Sequence, residues 1–576
     1  MLRNTVLSLF CLCLLPELLT AGQFTEVFQE FALDNNYGKT VALADYEDSQ
    51  VVVLAFLGTE CPLAKLYGPR LQALHEKFKE KGVAILGVNS NTQDSMTELG
   101  AYVHRYGIKF TMLKDVGNKL ADAVAATRTP EVFVFDQDRN LRYHGRIDDQ
   151  YGVGFSRPES RKEELADAIQ ALLDGKEIEN TETQAVGCVI GRVKKSKSKG
   201  EITYTKHVAK ILNSRCVSCH REGEIGPFNL QSYDDVLGWE DTIIEVIGDN
   251  RMPPWGASPD HGDFANDARM SEQEKATLRT WIANGMPEGD PKDLPEPPKF
   301  VDGWRIPEPD QTIPMRSNKV PFDVPADGVV DYQRFVTEPL WDEDKYIYAA
   351  EARPQNRAVV HHILVYIIPP GARRLDIEKV LVGYAPGSLP IHYKDGVAIK
   401  IPAKSRLLFE MHYTPNGSPE TDLSYAGVCF LDKEDVTKLA DGQVVATPPR
   451  TLRIPPNESN FKVSASRRIY RDQLLLSMTP HMHLRGKAFT YEAKYPDGTK
   501  ETLLEVPKYD FNWQLKYILA EPKLLPRKTE IVCTAVFDNS EDNPVNPAPN
   551  KTVRWGDQSW DEMMIGFMTM LPVDQE

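Results

Sequence analysis

The N-terminal third of the chain alternates two kinds of pattern. Val51-Val52-Val53-Leu54-Ala55-Phe56 is an unbroken apolar run of the length of a buried parallel-type strand. A helical pattern follows from Leu63 to Lys81, then a second run from Val83 to Val88 and a helix from Ser95 to Tyr106. Glu131–Phe135 and Leu141–Ile147 read as a late hairpin, and Glu163–Leu173 as a closing helix, so this block is α/β. The next stretch carries 3.6-residue periodicity at His207–Leu212, Tyr233–Ile247 and Glu272–Ala283 and is predicted to be mostly helical. Beyond residue 300, segments rich in Val, Ile, Tyr and Phe are bounded by Gly, Pro and Asn, a β-sandwich pattern long enough for two sandwiches.

Two polar stretches separate these blocks. Residues 192–200 read RVKKSKSKG, and residues 287–299 read PEGDPKDLPEPPK with five prolines. Both are solvated, extended connectors. The division is then 23–191, 192–299 with its flanking linkers, 300–445 and 446–576. Composition changes little in this picture. With 41% hydrophobic and 26% charged residues the 576-residue chain is globular. Its net charge of −16 argues against a nucleic-acid partner. The apolar run Val6–Leu19 follows Arg3 and ends in Thr20-Ala21-Gly22, so residues 1–22 read as a secretory signal, with no membrane-spanning segment after cleavage. That implies a periplasmic or secreted protein. Of eight cysteines, Cys11 and Cys13 fall in the signal. The remaining six in a chain this long are not a disulfide scaffold, and whether Cys429 and Cys533 pair is left open.

Gly58-Thr59-Glu60-Cys61-Pro62-Leu63-Ala64 sits between the first strand and its helix, and Thr129-Pro130 precedes a late strand. This arrangement resembles the thioredoxin-like redoxins, whose cis-proline loop Thr129-Pro130 would supply. Cys61 would stand at a helix N-terminus, where the helix dipole favours thiolate. Ala64 replaces the usual second cysteine, and Gly58 and Leu54 stand where a peroxiredoxin has Thr and Pro. Three readings stay open: a structural or docking module, a redox pair of Cys61 with Cys188, and a one-cysteine peroxidase.

Cys216-Val217-Ser218-Cys219-His220 has the spacing of a haem c attachment sequence, two thiols for the vinyl groups and His220 as axial ligand. Met252, in Arg251-Met252-Pro253-Pro254, is the leading sixth ligand, with Met286 and His261 as alternatives. Half of a zinc site is the competing reading, but no second Cys/His pair stands at suitable spacing. This block resembles small all-α c-type cytochrome domains.

Five of the 12 histidines fall in three motifs: His361-His362 in VVHHILVY, His412 in FEMHYTPNG, and His481 and His483 in TPHMHLRGK. Side chains at i and i+2 of a strand share a face, so His481 and His483 can chelate one ion; His361 and His362 need a twist or strand end. Near the C-terminus Asp561-Glu562-Met563-Met564 offers a possible thioether donor, and imidazoles with a thioether suit copper. These motifs resemble the copper type II ascorbate-dependent monooxygenases, the peptidylglycine and dopamine enzymes, whose two jelly rolls carry one copper each. The resemblance implies an electron-transfer copper on His361, His362 and His412, and an O₂-activating copper on His481, His483 and Met563. Thr479, Ile565 and Phe567 replace that family's carboxylate-gripping residues, and Met564 replaces a cysteine, so a peptide C-terminus is a poor substrate guess. The expectation is an exported three-unit protein that hydroxylates a C–H bond of an unidentified small molecule or peptide with O₂. Electrons from ascorbate or a periplasmic redox protein would enter through the haem. The alternative is a haem/copper electron-transfer or copper-binding protein with no hydroxylase activity.

Overall fold

A computed structural model describes residues 30–192, 194, 200–300, 303–373 and 375–573. The signal reading of residues 1–22 and most of the 192–200 connector lie outside the described residues.

The first block is built on β1 (Ala32–Asn35), β2 (Thr40–Ala42), β3 (Val51–Phe56), β4 (Val83–Asn89), β5 (Thr111–Lys114), the two-residue β6 (Arg128–Thr129), β7 (Glu131–Phe135) and β8 (Leu141–Gly145). All but β6 form one seven-stranded sheet in the order β2-β1-β5-β4-β3-β7-β8. β3, β4 and β5 run parallel, and β7 returns antiparallel to β3. The apolar run in β3 is explained by burial on both faces. Val51, Val53 and Ala55 enter the core under α1 (Pro62–Phe78), α2 (Met96–Arg105) and α4 (Glu164–Leu173), and Val52, Leu54 and Phe56 enter the opposite core with Leu120 of α3 (Lys119–Ala123). Ser95 and Glu98 form a reciprocal capping box at the start of α2, which fixes where that helix begins.

The second block holds α5 (Ala209–Arg215), α6 (Tyr233–Val236), α7 (Glu240–Gly248) and α8 (Glu272–Ala283) around Trp239, Leu278 and Trp281. The single amphipathic run expected at Tyr233–Ile247 is broken in two at Gly238, whose φ of 89° is left-handed.

From Gln311 to Pro572 the strands form four main sheets of four to six strands, together with short two-stranded pairings. The expected pair of consecutive jelly rolls is corrected to this four-sheet description. Alternation marks which residues are strands and which face they show, but partners over a hundred residues away are chosen by packing and leave no local mark. Ile347, Ile363 and Phe409 share one apolar cluster, and Leu475, Phe489 and Tyr491 another. These two clusters hold the histidine-bearing strands Val360–Ile368, Arg406–Tyr413 and Gln473–His481 in place. Among the described residues no helix is long and apolar enough to cross a membrane.

Candidate functional site

Cys61 is fully buried and caps the N-terminus of α1, with Pro62 at the first helical position. Its thiol donates to the Thr129 carbonyl at 2.9 Å. The Thr129–Pro130 peptide is cis. The short strand Cys188–Val189 pairs antiparallel with β6, setting Cys188 opposite Thr129, and the Cys61 and Cys188 thiols are hydrogen-bonding neighbours. Burial alone raises the Cys61 thiol; hydrogen bonds from the Cys188 side chain and N–H, then from Ala64 and Thr129, outweigh it and hold the group at about 6. Cys188 is pushed well up, by its hydrogen bond to Cys61 and by burial. The asymmetry is that of an attacking thiolate beside a protonated resolving thiol.

Gly187 makes this approach geometrically possible. A Cβ there would lie 2.0 Å from the Thr129 carbonyl oxygen, and its φ of 153° already disfavours an L side chain. Gly187→Ala is expected to destabilise the chain by about 1–3 kcal/mol and to separate Cys188 from Cys61. Denaturant melts and the rate of Cys61–Cys188 oxidation check both parts.

The Cys216–His220 motif follows α5 as a tight turn, with the Cys219 and His220 amides donating to the Cys216 carbonyl at 3.0 and 2.9 Å. His220 Nδ1 lies 3.1 Å from the Phe228 carbonyl, and Phe228 stacks on Trp239 at 3.8 Å. With Nδ1 so engaged, Nε2 is the ring nitrogen left to bind a metal. Burial lowers the His220 imidazole, keeping it neutral. Met252 is half-buried just past α7. Glu245 of α7 joins Arg251 to Arg128 of β6, so an ion-pair tie links the Met252 segment to β6, the strand that pairs with Cys188–Val189.

The bulge in the His361-His362 strand resolves the problem of adjacent histidines. Its pairing with Arg406–Tyr413 shifts register between Val360 and His362, which turns His361 to the side of its neighbour. His362 lies opposite His412, and His361 Nδ1 is 3.1 Å from Nδ1 of both. One nitrogen from each of His361, His362 and His412 lies within 4.8 Å of the others. Burial lowers His361 to about 4 and puts His362 and His412 well below the usual histidine range. All three are therefore neutral donors, and His362 Nε2 is buried with no partner. That donor set fits a copper ion.

His481 and His483 stand 5.2 Å apart by ring centroid. Gln514 Oε1 sits 2.6 Å from His481 Nδ1, and the Asp561 carbonyl 3.3 Å from His483 Nδ1. Phe511 contacts His361, His362, His412 and His483, at 5.6 to 6.3 Å, and Tyr332 stacks on His412 at 4.8 Å. The two sets thus share one aromatic floor. Met563 is half-buried in the loop before Ile565–Pro572, its N–H facing the Glu562 carboxylate, while Met564 is fully buried in the core. Gln514, Phe511, Tyr332 and the buried Glu562, which accepts from the His483 and Arg485 amides, carried no recognisable spacing in the sequence. Cys429 and Cys533 are both buried free thiols, on different sheets.

Residues 25–144 match the AhpC/TSA family. Over 117 residues the chain is 30% identical to the thiol-disulfide oxidoreductase ResA of Halalkalibacterium halodurans, covering 20% of this chain and 61% of the relative. It is 26% identical over 149 residues to the chloroplastic peroxiredoxin Q of Sedum lineare, covering 25% of this chain and 75% of the relative. Among solved structures, a hypothetical protein from Sinorhizobium meliloti 1021 is 31% identical, covering 29% of this chain and 92% of its own, with a TM-score of 0.26. The chain spans about three-fifths of the length of the ResA relatives it matches.

The family match and the ResA likeness correct the expectation drawn from the histidine and Cys-x-x-Cys-His motifs. They support a thioredoxin-like redox unit and do not support a fusion of that unit with a cytochrome c domain and a copper type II monooxygenase. The three-histidine cluster by itself shows metal-ligand geometry, not O₂ chemistry. C–H hydroxylation, with O₂ and ascorbate as its reactants, is therefore withdrawn. The motifs fix donor atoms over a few residues, whereas an activity depends on the fold around them.

Proposed function

We propose that this is an exported thiol-based oxidoreductase whose working pair is Cys61 and Cys188, with electron-transfer or copper-binding centres in the same chain and no hydroxylase activity. The observation that carries the reading is the hydrogen-bonded pair itself, with Cys61 held at about 6 at a helix N-terminus. The Cys61 thiolate attacks one sulfur of a substrate disulfide, releasing the other as a thiol after it takes a proton. Cys188, deprotonated in turn, attacks Cys61 and frees the second substrate thiol. The substrate gains two electrons and two protons, and the protein is left with a Cys61–Cys188 disulfide. Export is supported by the residue 1–22 pattern. The partners are a disulfide-bearing protein or peptide and a reductant that restores the pair. The boundaries at the two linkers are proposed with it.

Copper on His361, His362 and His412, a second ion on His481, His483 and Met563, and a haem on Cys216, Cys219, His220 and Met252 are proposed as one-electron carriers. Turnover of a small aromatic disulfide with dithiothreitol tests the thiol reading: steady reduction above the uncatalysed rate supports it, and no acceleration overturns it. For the haem, Cys216→Ala with Cys219→Ala is expected to remove the pyridine haemochrome band entirely while disulfide turnover stays within about twofold, because the thiol chemistry lies elsewhere.

A further inference from the structure

A cavity of about 490 Å³ opens beside the histidine cluster, in the size range of small-molecule sites. Leu364, Ile367, Leu381, Val382 and Phe567 supply apolar wall, and His362, His481 and Gln514 line it where it meets the imidazoles. Its charged groups are unequally matched. Glu378 is paired with Arg467, and Lys400 with Asp344 at 2.7 Å. Lys516, Lys379 and Arg471 also line the cavity and have no ion pair among the described residues; Asp441 is the carboxylate left to set against them. Lys516 is half-buried, and desolvation brings its ammonium down to about 8 with no carboxylate or hydrogen bond opposing the shift. A desolvated ammonium without a counter-ion is costly unless a ligand supplies the charge.

We propose that this cavity is a binding site for an amphipathic monoanion, an alkyl or aryl carboxylate whose apolar body lies against the Leu381–Phe567 wall and whose head group pairs with Lys516. The wall sets the preference for a hydrocarbon body. Lys379 and Arg471 are exposed to solvent, so the half-buried Lys516, a point charge with no planar fork, sets the preference for a single anionic head. This site is distinct from the thiol pair, so its test is independent of disulfide turnover.

The test is calorimetric titration of the full chain with decanoate, decan-1-ol and decyltrimethylammonium. Decanoate is expected to bind one per chain, and the cation roughly tenfold or more weakly, since the same tail then carries the wrong charge. Lys516→Met should weaken decanoate by about tenfold or more and leave decan-1-ol unchanged, while Lys516→Arg stays within a few-fold. Leu364→Trp, which narrows the cavity from its apolar wall, should weaken all three. Absence of decanoate binding, equal affinity for decanoate and the cation, or wild-type decanoate affinity in Lys516→Met would each overturn the proposal.

Discussion

Cys61→Ser is expected to abolish disulfide exchange, whereas Cys188→Ser stops it halfway, with substrate trapped on Cys61 as a mixed disulfide. The two outcomes differ because the thiols have different tasks. At about 6, Cys61 is roughly nine-tenths thiolate at pH 7, against a few per cent for an unperturbed thiol near 8.5. That is a gain of about thirtyfold in attacking species, partly offset because a more acidic thiol is a weaker nucleophile. Cys61 is an acid with a lowered pKa, so its reactive form is full above about 7 and is lost as pH falls through about 6. Alkylation of reduced protein by iodoacetamide should therefore plateau by neutral pH at Cys61. In Cys188→Ala the midpoint should move upward, because the largest of the lowering hydrogen bonds is gone and burial, which raises the thiol, is left less opposed. Peptide-resolved labelling from pH 5 to 9 reads both midpoints.

The second large effect concerns the imidazoles. His412→Ala removes one of three neutral imidazole nitrogens that lie within 4.8 Å of one another. Loss of a mere outer partner of a metal ligand typically costs 10–100-fold in affinity, so loss of the ligand itself should cost at least about 100-fold for Cu(I), measured by competition with a chromophoric chelator. His392→Ala is the control, since that histidine packs on Tyr348 away from the cluster. Gln514→Leu tests the shared floor differently: it removes the 2.6 Å partner that orients His481, and should weaken the second ion by about 10–100-fold without affecting the first. Equal loss at both sites in Gln514→Leu would mean that the five histidines hold a single ion.

Much of the α/β block and of the helical block after it was legible because their signals are local. The run Val51–Phe56, the helical pattern from Ser95 to Tyr106 and the Glu272–Ala283 period each announce an element within a dozen residues, and the structure places strands and helices there. Gly238 shows the limit of periodicity, since one left-handed residue split a helix that the apolar spacing carried through. The thiol site was half legible. Cys61 before Pro62 and the Thr129-Pro130 pair mark a redoxin loop, but only the pairing of β6 with Cys188–Val189 brings the second thiol across 127 positions. In the β-rich part the histidines stood out by residue type, yet their convergence depends on a bulge after Val360 and on Phe511 and Tyr332, which look like any other aromatic positions. The resemblance to copper monooxygenases rested on such short motifs. It carried donor atoms as candidates, but it did not carry an activity.

The most direct test of the thiol account is peptide mapping of the full chain poised across a glutathione or dithiothreitol redox series and quenched with acid and alkylating agent. The account predicts one Cys61–Cys188 cross-linked peptide that appears and disappears together, as a reversible two-electron couple, while Cys429 and Cys533, on different sheets, form no cross-link at any poise. Full and separate alkylation of Cys61 and Cys188 at every oxidising poise, with no cross-linked peptide, would contradict it.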